Sequence, residues 1–203
     1  MRKTLDVVNR VEKRSSMNRL NHIYGFTLLE LLVVLVIIGI FAAIAIPSYQ
    51  QYMLKRDLSV AKQESLRIAS ELERFKSRNF SYKGFDATFA YPSYDKTKGE
   101  LLLPIGSTLT NAKYILTVVD SNLQKPLTIA KGQDNKETSE SQKVRGLGWV
   151  MKVVRVSDEK GQPKDPQNYD LLLRSDGFKC MTKTADIVND YQTCGDSNDV
   201  ETW

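Results

Sequence analysis

The residue with the most unusual chemical surroundings in this sequence is Glu30, the one charged side chain in the apolar run from Phe26 to Ile46. A carboxylate inside a bilayer costs ~2.5–3.5 kcal/mol on insertion scales, and less where it lies near the end of the span and snorkels to water. In a packed bundle of apolar helices an unpaired carboxylate is costly, and an amine is its natural partner. Glu30 therefore indicates either a paired acid with a role in helix association or a snorkelling acid with no partner.

Other residue types that carry chemistry are scarce. The chain has two cysteines, Cys180 and Cys194, and one histidine, His22, which lies in the polar segment before the apolar run. Ser-His and Cys-His nucleophile pairs and histidine metal triads therefore have no basis in the rest of the chain. The sequence contains no phosphate-binding or dinucleotide-binding glycine motif and no zinc-protease motif, and no pattern pairs its carboxylates for acid–base catalysis. We predict a protein that is not an enzyme and that needs neither a cofactor nor a metal.

The apolar run is long enough to cross a membrane. Phe26–Ile46 has 21 residues, which as a helix extend about 30 Å, the thickness of a hydrocarbon core. Residues 1–25 hold six basic and two acidic residues, so this flank is expected to stay cytoplasmic and the rest of the chain to be exported. The alternatives are a plain signal anchor, a buried core helix, and a secretory signal cleaved after the A-x-A-like Ala43-Ile44-Ala45. The run exceeds the roughly 7–15 apolar residues of a cleaved signal.

The residues around the start of this run resemble a known family. Gly25-Phe26-Thr27-Leu28-Leu29-Glu30, the apolar helix after it, and Pro47-Ser48-Tyr49 are similar to the N-terminus of type IV pilins and pseudopilins, over Gly25–Tyr52. The resemblance implies that a prepilin peptidase cuts between Gly25 and Phe26 and methylates the new Phe26 amine. Residues 1–25 would then be a cleaved leader. Because this leader is long for the class, Met17 is a possible true start.

The resemblance also implies how the apolar helix works. Residues 26–53 would anchor the chain in the inner membrane with a periplasmic head, until the assembly platform moves the chain into an extracellular pilus. Glu30 would pair with the Phe26 amine of a neighbouring subunit and so set the axial register between other pilin subunits. Gly39 and Pro47 bracket a weaker stretch of the helix, where we predict a kink because proline removes a helix hydrogen bond.

The remaining residues, 54–203, predict a globular head of α+β class. Apolar residues at helical spacing continue the helix from Phe26 to about Lys76, with its end near Ser77–Asn79. Residues 80–112 are interpreted as a long surface connection, and Ala130 to Val144 as an exposed loop. The predicted strands are Tyr114–Val119, Leu147–Val156, Tyr169–Arg174 and Phe178–Thr182. Ser175-Asp176-Gly177 predicts a hairpin between the last two. The expected architecture is a long N-terminal α-helix packed on a small antiparallel β-sheet, the type IV pilin fold.

The two cysteines, Cys180 and Cys194, both fall on the exported side by this topology, where oxidation to a disulfide is the default. Closing a loop of this size stabilises a fold by ~3 kcal/mol in the chain-entropy model. Pilins similarly often join a C-terminal loop to their last strand in this way. Two free thiols remain an alternative, and a two-thiolate metal site is a weaker one because no histidine completes it.

Two groups of charged residues raise the question of a ligand. The C-terminal acids resemble the calcium loops of some pseudopilins, but they lack EF-hand spacing, which favours a solvated acidic tail. Scattered lysines suggest a DNA-binding face, since some pilins capture DNA, but acids lie among them, which favours ordinary surface. The acids are Asp186, Asp190, Asp196, Asp199 and Glu201, and the lysines are Lys125, Lys131, Lys136, Lys143, Lys152, Lys160 and Lys164.

The charge balance weakens the nucleic-acid interpretation further. The chain has a formal net charge of +5, of which residues 1–25 carry four, so residues 26–203 are close to neutral. The leading hypothesis is a structural subunit of a type IV pilus, a minor pilin that supports pilus assembly, twitching motility, adhesion or DNA uptake. The alternatives are a pseudopilin of a type II secretion system and a DNA-binding pilin of a competence pilus.

Overall fold

The computed structural model of this protein describes residues 26–196 and 199–203 of the 203-residue chain. Its residues fall into two compact units, the first ending at Ala45 and the second spanning Ile46–Trp203. Gly25, the possible start Met17 and the single histidine His22 lie outside the described residues. The predictions for the leader therefore stay predictions.

One long helix, α1 (Leu28–Asn79), begins in the first unit and ends in the second. Its C-terminal end agrees with the end predicted from the sequence near Ser77–Asn79. Within the second unit, α1 buries Ala61, Ile68 and Leu72 completely, and their spacings of seven and four residues place them on one face of the helix.

The head contains a five-stranded antiparallel sheet in which every strand pairs with its neighbour in sequence, in the order β1-β2-β3-β4-β5. The strands are β1 (Glu100–Leu103), β2 (Tyr114–Asp120), β3 (Trp149–Arg155), β4 (Asp170–Arg174) and β5 (Lys179–Thr182). Strands β2 to β5 confirm the four predicted strands, with ends that differ by at most two residues. The α+β class, with a long helix packed on an antiparallel sheet, is confirmed.

One prediction for the connections was wrong, and another, largely correct in its exposure, was incomplete. Residues 80–112 were expected to form only a surface connection, but they contain β1, whose leucines Leu101 and Leu103 are buried. Residues 130–144 were expected to be an exposed loop, but they contain the helix α2 (Ser139–Lys143), which buries Ser141. The Thr138 side chain caps α2 by accepting a hydrogen bond from the Ser141 N–H. Both elements are too short to show a periodic pattern, which explains why the sequence did not reveal them.

The sheet has a separate apolar cluster on each face, because strand side chains alternate between faces. The face toward α1 contributes Leu116, Met151 and Leu171 to the main core, which also holds the helix residues. The opposite face contributes Val119, Val150 and Leu172 to a smaller cluster that includes Val188, from the short 3-10 helix Ile187–Asp190. A second 3-10 helix, Ala87–Phe89, precedes β1. Both clusters lie wholly within residues 54–203, so the head carries its complete core.

Candidate functional site

The first turn of α1 explains the position of Glu30 locally. The backbone N–H of Glu30 donates a hydrogen bond to the Thr27 hydroxyl at 3.1 Å, so Thr27 caps the helix and Glu30 lies three residues further on, the spacing of a capping box. A carboxylate in the first turn also interacts favourably with the helix dipole. Glu30 is solvent-exposed within the single chain, so its carboxylate is available to a group on another molecule. This helix-starting role of Thr27 and Glu30 was not predicted, although the T-x-x-E pattern was present.

Residues 26–45, the described part of the first unit, expose nearly all of their apolar surface. From Phe26 to Ala45 only Ala42 is half-buried, and every other residue is exposed. By length and composition, α1 contains a segment that can cross a membrane. In water so much exposed apolar surface is unfavourable, at roughly 25 cal/mol per Å². This segment is therefore suited to lipid or to the apolar helices of other subunits.

Gly39 and Pro47 both lie inside α1, which is helical throughout from Leu28 to Asn79. A Cβ atom at Gly39 would meet nothing within 4 Å, so packing inside this chain does not require glycine there. The predicted kink at these two residues stays a prediction. The absence of a side chain at Gly39 gives a partner helix room for close approach.

Two carboxylates on α1 hold the connection that follows the helix. The Tyr82 hydroxyl and the Trp149 indole N–H both donate to Glu73, at 2.8 and 3.1 Å, and the Tyr91 hydroxyl donates to Glu64. Burial, followed by the hydrogen bond to the carboxylate, raises the pKa of both tyrosines above the usual range. These contacts join the helix to residues 80–91 and to the start of β3. They involve residues far apart in sequence, and no local pattern predicted them.

The C-terminal loop is attached to the sheet face opposite α1. A disulfide joins Cys180 on β5 to Cys194, with their Cα atoms 6.0 Å apart, as the sequence led us to expect. Lys152 on β3 contacts the loop that lies between the two cysteines. Its Nζ donates a hydrogen bond to the Asn189 side-chain oxygen at 2.9 Å and lies over the Tyr191 ring. Burial lowers the pKa of Lys152 and raises that of Tyr191 to about 12. Lys152 is thus part of the packing of this loop.

A buried ion pair joins the end of β3 to the start of β4. The Arg155 guanidinium contacts Asp170 at 2.9 Å, and both side chains are almost completely buried. Arg155 also donates to the carbonyl oxygens of Pro166, Asn168 and Lys183. The charged hydrogen bonds are therefore satisfied, which is the condition under which a buried pair is tolerated. This arrangement supports the fold and leaves Arg155 unavailable to a ligand.

An open groove of about 770 Å³ lies beside the segment between β2 and β3. Its floor includes Val144 and Ser141, and its rim carries Lys96, Lys125 and Lys131. Within the described residues none of these three lysines forms a salt bridge, whereas Lys143 nearby pairs with Glu140. Glu140 also lines the groove, so three lysines stand against one carboxylate, and the remaining positive charge favours an anionic ligand. Of the seven lysines considered from the sequence, Lys125 and Lys131 meet here.

The C-terminal acids do not gather around a common point. In residues 26–196 and 199–203 no group of three or more His, Cys, Asp or Glu residues is arranged to hold a metal ion. Asp186 accepts a hydrogen bond from the Asn189 amide, and Glu201 accepts one from the Tyr169 hydroxyl. Asp186 and Glu201 thus serve local hydrogen bonds.

Comparisons with known proteins match two consecutive segments of the chain to known families. A family described as a prokaryotic N-terminal methylation motif matches residues 20–46. A family described as the type IV minor pilin ComP, DNA uptake sequence receptor, matches residues 47–128 directly after it. The chain belongs to the type IV pilin-like proteins. The exposed apolar helix and the disulfide-linked head are consistent with this family.

Individual relatives of this pilin-like chain belong to more than one machine. Fimbrial protein EcpC of Eikenella corrodens is 37% identical over 97 residues, which are 48% of this chain and 54% of that protein. Type II secretion system core protein G of Pseudomonas aeruginosa is 37% identical over 73 residues, 34% of this chain and 51% of that protein. The type IV major alpha-pilin of Moraxella bovis is 45% identical over 53 residues, 26% of this chain and 29% of that protein.

These alignments cover only part of each relative. The chain spans about half of the length of the first two relatives and less of the third. No solved structure matches the chain significantly. The machine, ligands and partners of these relatives are therefore not established for this chain.

Proposed function

We propose that this pilin-like chain is a structural subunit, a minor pilin, of a type IV pilus. The observation that carries the proposal is α1 itself. Its first part exposes apolar side chains and has a single carboxylate, Glu30, in the first turn, while its later part forms the core of the head. A chain built in this way joins a polymer through one end of its helix and presents its head to the surroundings.

The proposal includes the processing of the N-terminus. A prepilin peptidase cuts between Gly25 and Phe26 and methylates the Phe26 amine, and the apolar helix then holds the chain in the inner membrane with its head in the periplasm. The basic flank, with six basic and two acidic residues in positions 1–25, supports this orientation. The assembly platform then moves the subunit into the extracellular fibre.

Glu30 has a defined part in this scheme. Its exposed carboxylate pairs with the Phe26 amine of a neighbouring subunit, and this contact fixes the register between helices. The pair is favourable because an isolated carboxylate among apolar helices is costly and an amine close by offsets that cost. In this proposal Gly39, which has open space around it, allows the neighbouring helix to pack closely.

The experiment that tests the proposal replaces the chromosomal gene with a Glu30→Gln variant and with a Glu159→Gln control, the same change at an exposed carboxylate of the head, then scores pili by electron microscopy and secreted proteins in the medium. We expect Glu30→Gln to reduce piliation strongly and Glu159→Gln to reduce it little, with secretion unchanged in both. Loss of protein secretion with normal pili would instead assign the chain to a type II secretion pseudopilus. The similarity to core protein G keeps that alternative open.

A second candidate function, DNA binding by a competence pilus, is supported by the basic groove. The family matched over residues 47–128 is described as a DNA uptake sequence receptor, and two of the three groove lysines, Lys96 and Lys125, lie within that segment, with Lys131 just after it. Phosphate contacts by lysines release counterions, so binding should weaken steeply with salt.

A gel shift with the head, residues 54–203, tests this second candidate. Lys96→Gln/Lys125→Gln/Lys131→Gln should weaken binding and flatten its salt dependence. A control with the same loss of charge on exposed residues outside the groove carries glutamine at Lys136, Lys160 and Lys164 and should bind like the unchanged head. Absent or salt-insensitive binding would remove DNA from the proposal and leave the pilus function untouched.

A further inference from the structure

The contact between α1 and the rest of the head begins abruptly along the helix. No residue of α1 before Asp57 is buried, and residues 46–52 are all exposed. Met53 and Leu54 are half-buried, and Asp57 is the first buried residue, with 7% of its surface exposed. The head therefore takes hold of the helix within the single turn from Leu54 to Asp57.

An open groove separates the preceding turns of α1 from the head. It has a volume of about 580 Å³ and is lined by helix residues between Pro47 and Asp57 on one side and mainly by residues 165–167 on the other. One hydrogen bond between exposed side chains links the two sides, from Gln51 Nε2 to Gln167 Oε1 at 2.9 Å. A hydrogen bond exposed to water contributes little net free energy, so this part of the helix has room to change its angle.

A buried side chain of the head, Asn168, holds the helix backbone at the point where the groove ends. Its Nδ2 donates a hydrogen bond to the Leu54 carbonyl oxygen at 3.0 Å, and Asn168 is only 3% exposed. In an α-helix the Leu54 carbonyl also accepts from the N–H of Leu58, so the amide adds a second bond to the same oxygen. Because this bond is made to the backbone, it fixes the position of the helix itself.

The buried ion pair between β3 and β4 positions Asn168. The Arg155 guanidinium contacts Asp170 at 2.9 Å and donates to the carbonyl oxygens of Asn168 and Pro166 at 2.7 and 3.1 Å. A buried ion pair often contributes no more stability than apolar side chains of similar volume would, which is consistent with a role in positioning. The sheet is thus connected to the backbone of α1 through Arg155 and Asn168.

We propose that Asn168 is a clamp that sets the limit of a hinge in this molecule. The clamp fixes α1 to the sheet at Leu54, and the helix before Leu54 bends over the groove while the core of the head stays unchanged. Pro47 lies on the bending side, where it removes one helix hydrogen bond. This hinge is a property of the chain itself and does not depend on the machine that the chain joins.

Hydrogen–deuterium exchange of the full chain in detergent, resolved to single amides, tests the clamp. Amides in stable parts of a fold are protected from exchange, and those in parts that open locally are not. Asn168→Ala should raise the exchange rate of the amides at 55–58 about tenfold, because the bond that holds this turn is lost. The exchange of strands β2 and β3 should stay as it was. In the unchanged protein the amides at 50–53 should exchange faster than those at 58–64.

The matched control is Gln167→Ala, which removes the neighbouring side-chain bond to the helix at an exposed position. It should leave the exchange at 55–58 unchanged. A second variant, Asn168→Asp, keeps the size of the side chain but replaces the donor by an oxygen, and it should act like Asn168→Ala. Circular dichroism confirms that each variant is folded.

Three results would overturn the proposal. The first is unchanged exchange at 55–58 in both Asn168 variants. The second is an increase in β2 and β3 as large as that at 55–58, which would make Asn168 a residue that stabilises the whole head. The third is equal protection of the amides at 50–53 and at 58–64 in the unchanged protein, which would mean that the helix has no hinge before Leu54.

Discussion

The two parts of α1 have similar apolar side chains but different surroundings. Between Phe26 and Ala45 the side chains are almost all exposed within the chain, whereas Ala61, Ile68 and Leu72 further along are completely buried against the sheet. The later part alternates apolar and charged residues at helical spacing, while the first part is apolar on all sides. One helix is therefore suited to two environments. Its later part packs in the core of the head, and its first part is suited to lipid or to other subunits.

The largest difference in stability between two variants should come from replacing one leucine by alanine in each part of the helix. Leu72→Ala removes a completely buried side chain and should lower the free energy of unfolding of the head by about 2–5 kcal/mol. Leu35→Ala removes an exposed side chain and should leave it unchanged. Urea unfolding in detergent, followed by tryptophan fluorescence, measures both. Equal effects of the two variants would contradict the division of α1.

The second-largest effect on stability is expected at the sheet face that α1 does not cover. Replacing Cys180 and Cys194 together by serine should lower the stability of the head by about 3 kcal/mol, since the disulfide closes a short loop. Urea unfolding of the head measures the loss, and the unchanged head under reducing conditions serves as a second route to the same state. Unchanged stability would mean that Val188 and its neighbours hold the loop without the disulfide.

The sequence predicted the parts of the fold that repeat a pattern over many residues. The helix end near Ser77–Asn79 and the strands β2 to β5 followed from periodicity and from the Asp176-Gly177 turn. Strand β1 was missed because three consecutive leucines between Gly99 and Pro104 show no alternation. The helix α2 was missed because it has five residues and a polar sequence.

The candidate sites divide in a similar way. Glu30 and the cysteine pair stood out because each is rare in its surroundings, a carboxylate in an apolar run and the only two thiols of the chain. The basic groove was not predicted, since it brings together residues from separate loops. Lys96 and Lys131, for example, meet only because the segment between β2 and β3 folds beside the connection before β1.

A smaller effect on stability should appear at alkaline pH, where the connection that follows α1 contacts the helix. Burial and the carboxylates Glu73 and Glu64 raise the pKa of Tyr82 and Tyr91 in the folded state. Unfolded tyrosines lose their protons near pH 10, so these contributions to stability are complete below that pH and decline as the pH rises above it. Urea midpoints measured from pH 8 to pH 11 should fall, and less steeply in the Tyr82→Phe/Tyr91→Phe variant. Identical slopes in the two proteins would contradict this explanation.

The smallest effect on stability is expected from Glu30→Gln, in the exposed part of α1. The head should unfold at the same urea concentration as before, within about 0.5 kcal/mol, because Glu30 makes no contact with the core. Its effect should fall on assembly alone, measured as pili sheared from cells. A destabilised head together with normal assembly would contradict the account, in which the first part of α1 serves assembly and the later part stabilises the head.

The most direct test of the central proposal is intact-mass and N-terminal analysis of the protein extracted from cell membranes. If the apolar helix is a retained assembly segment, the mature chain begins with methylated Phe26 and has lost residues 1–25. A chain that begins after Ala45, as a cleaved secretory signal would leave it, would contradict the proposal. A chain that still begins at Met1 or Met17 would contradict it as well.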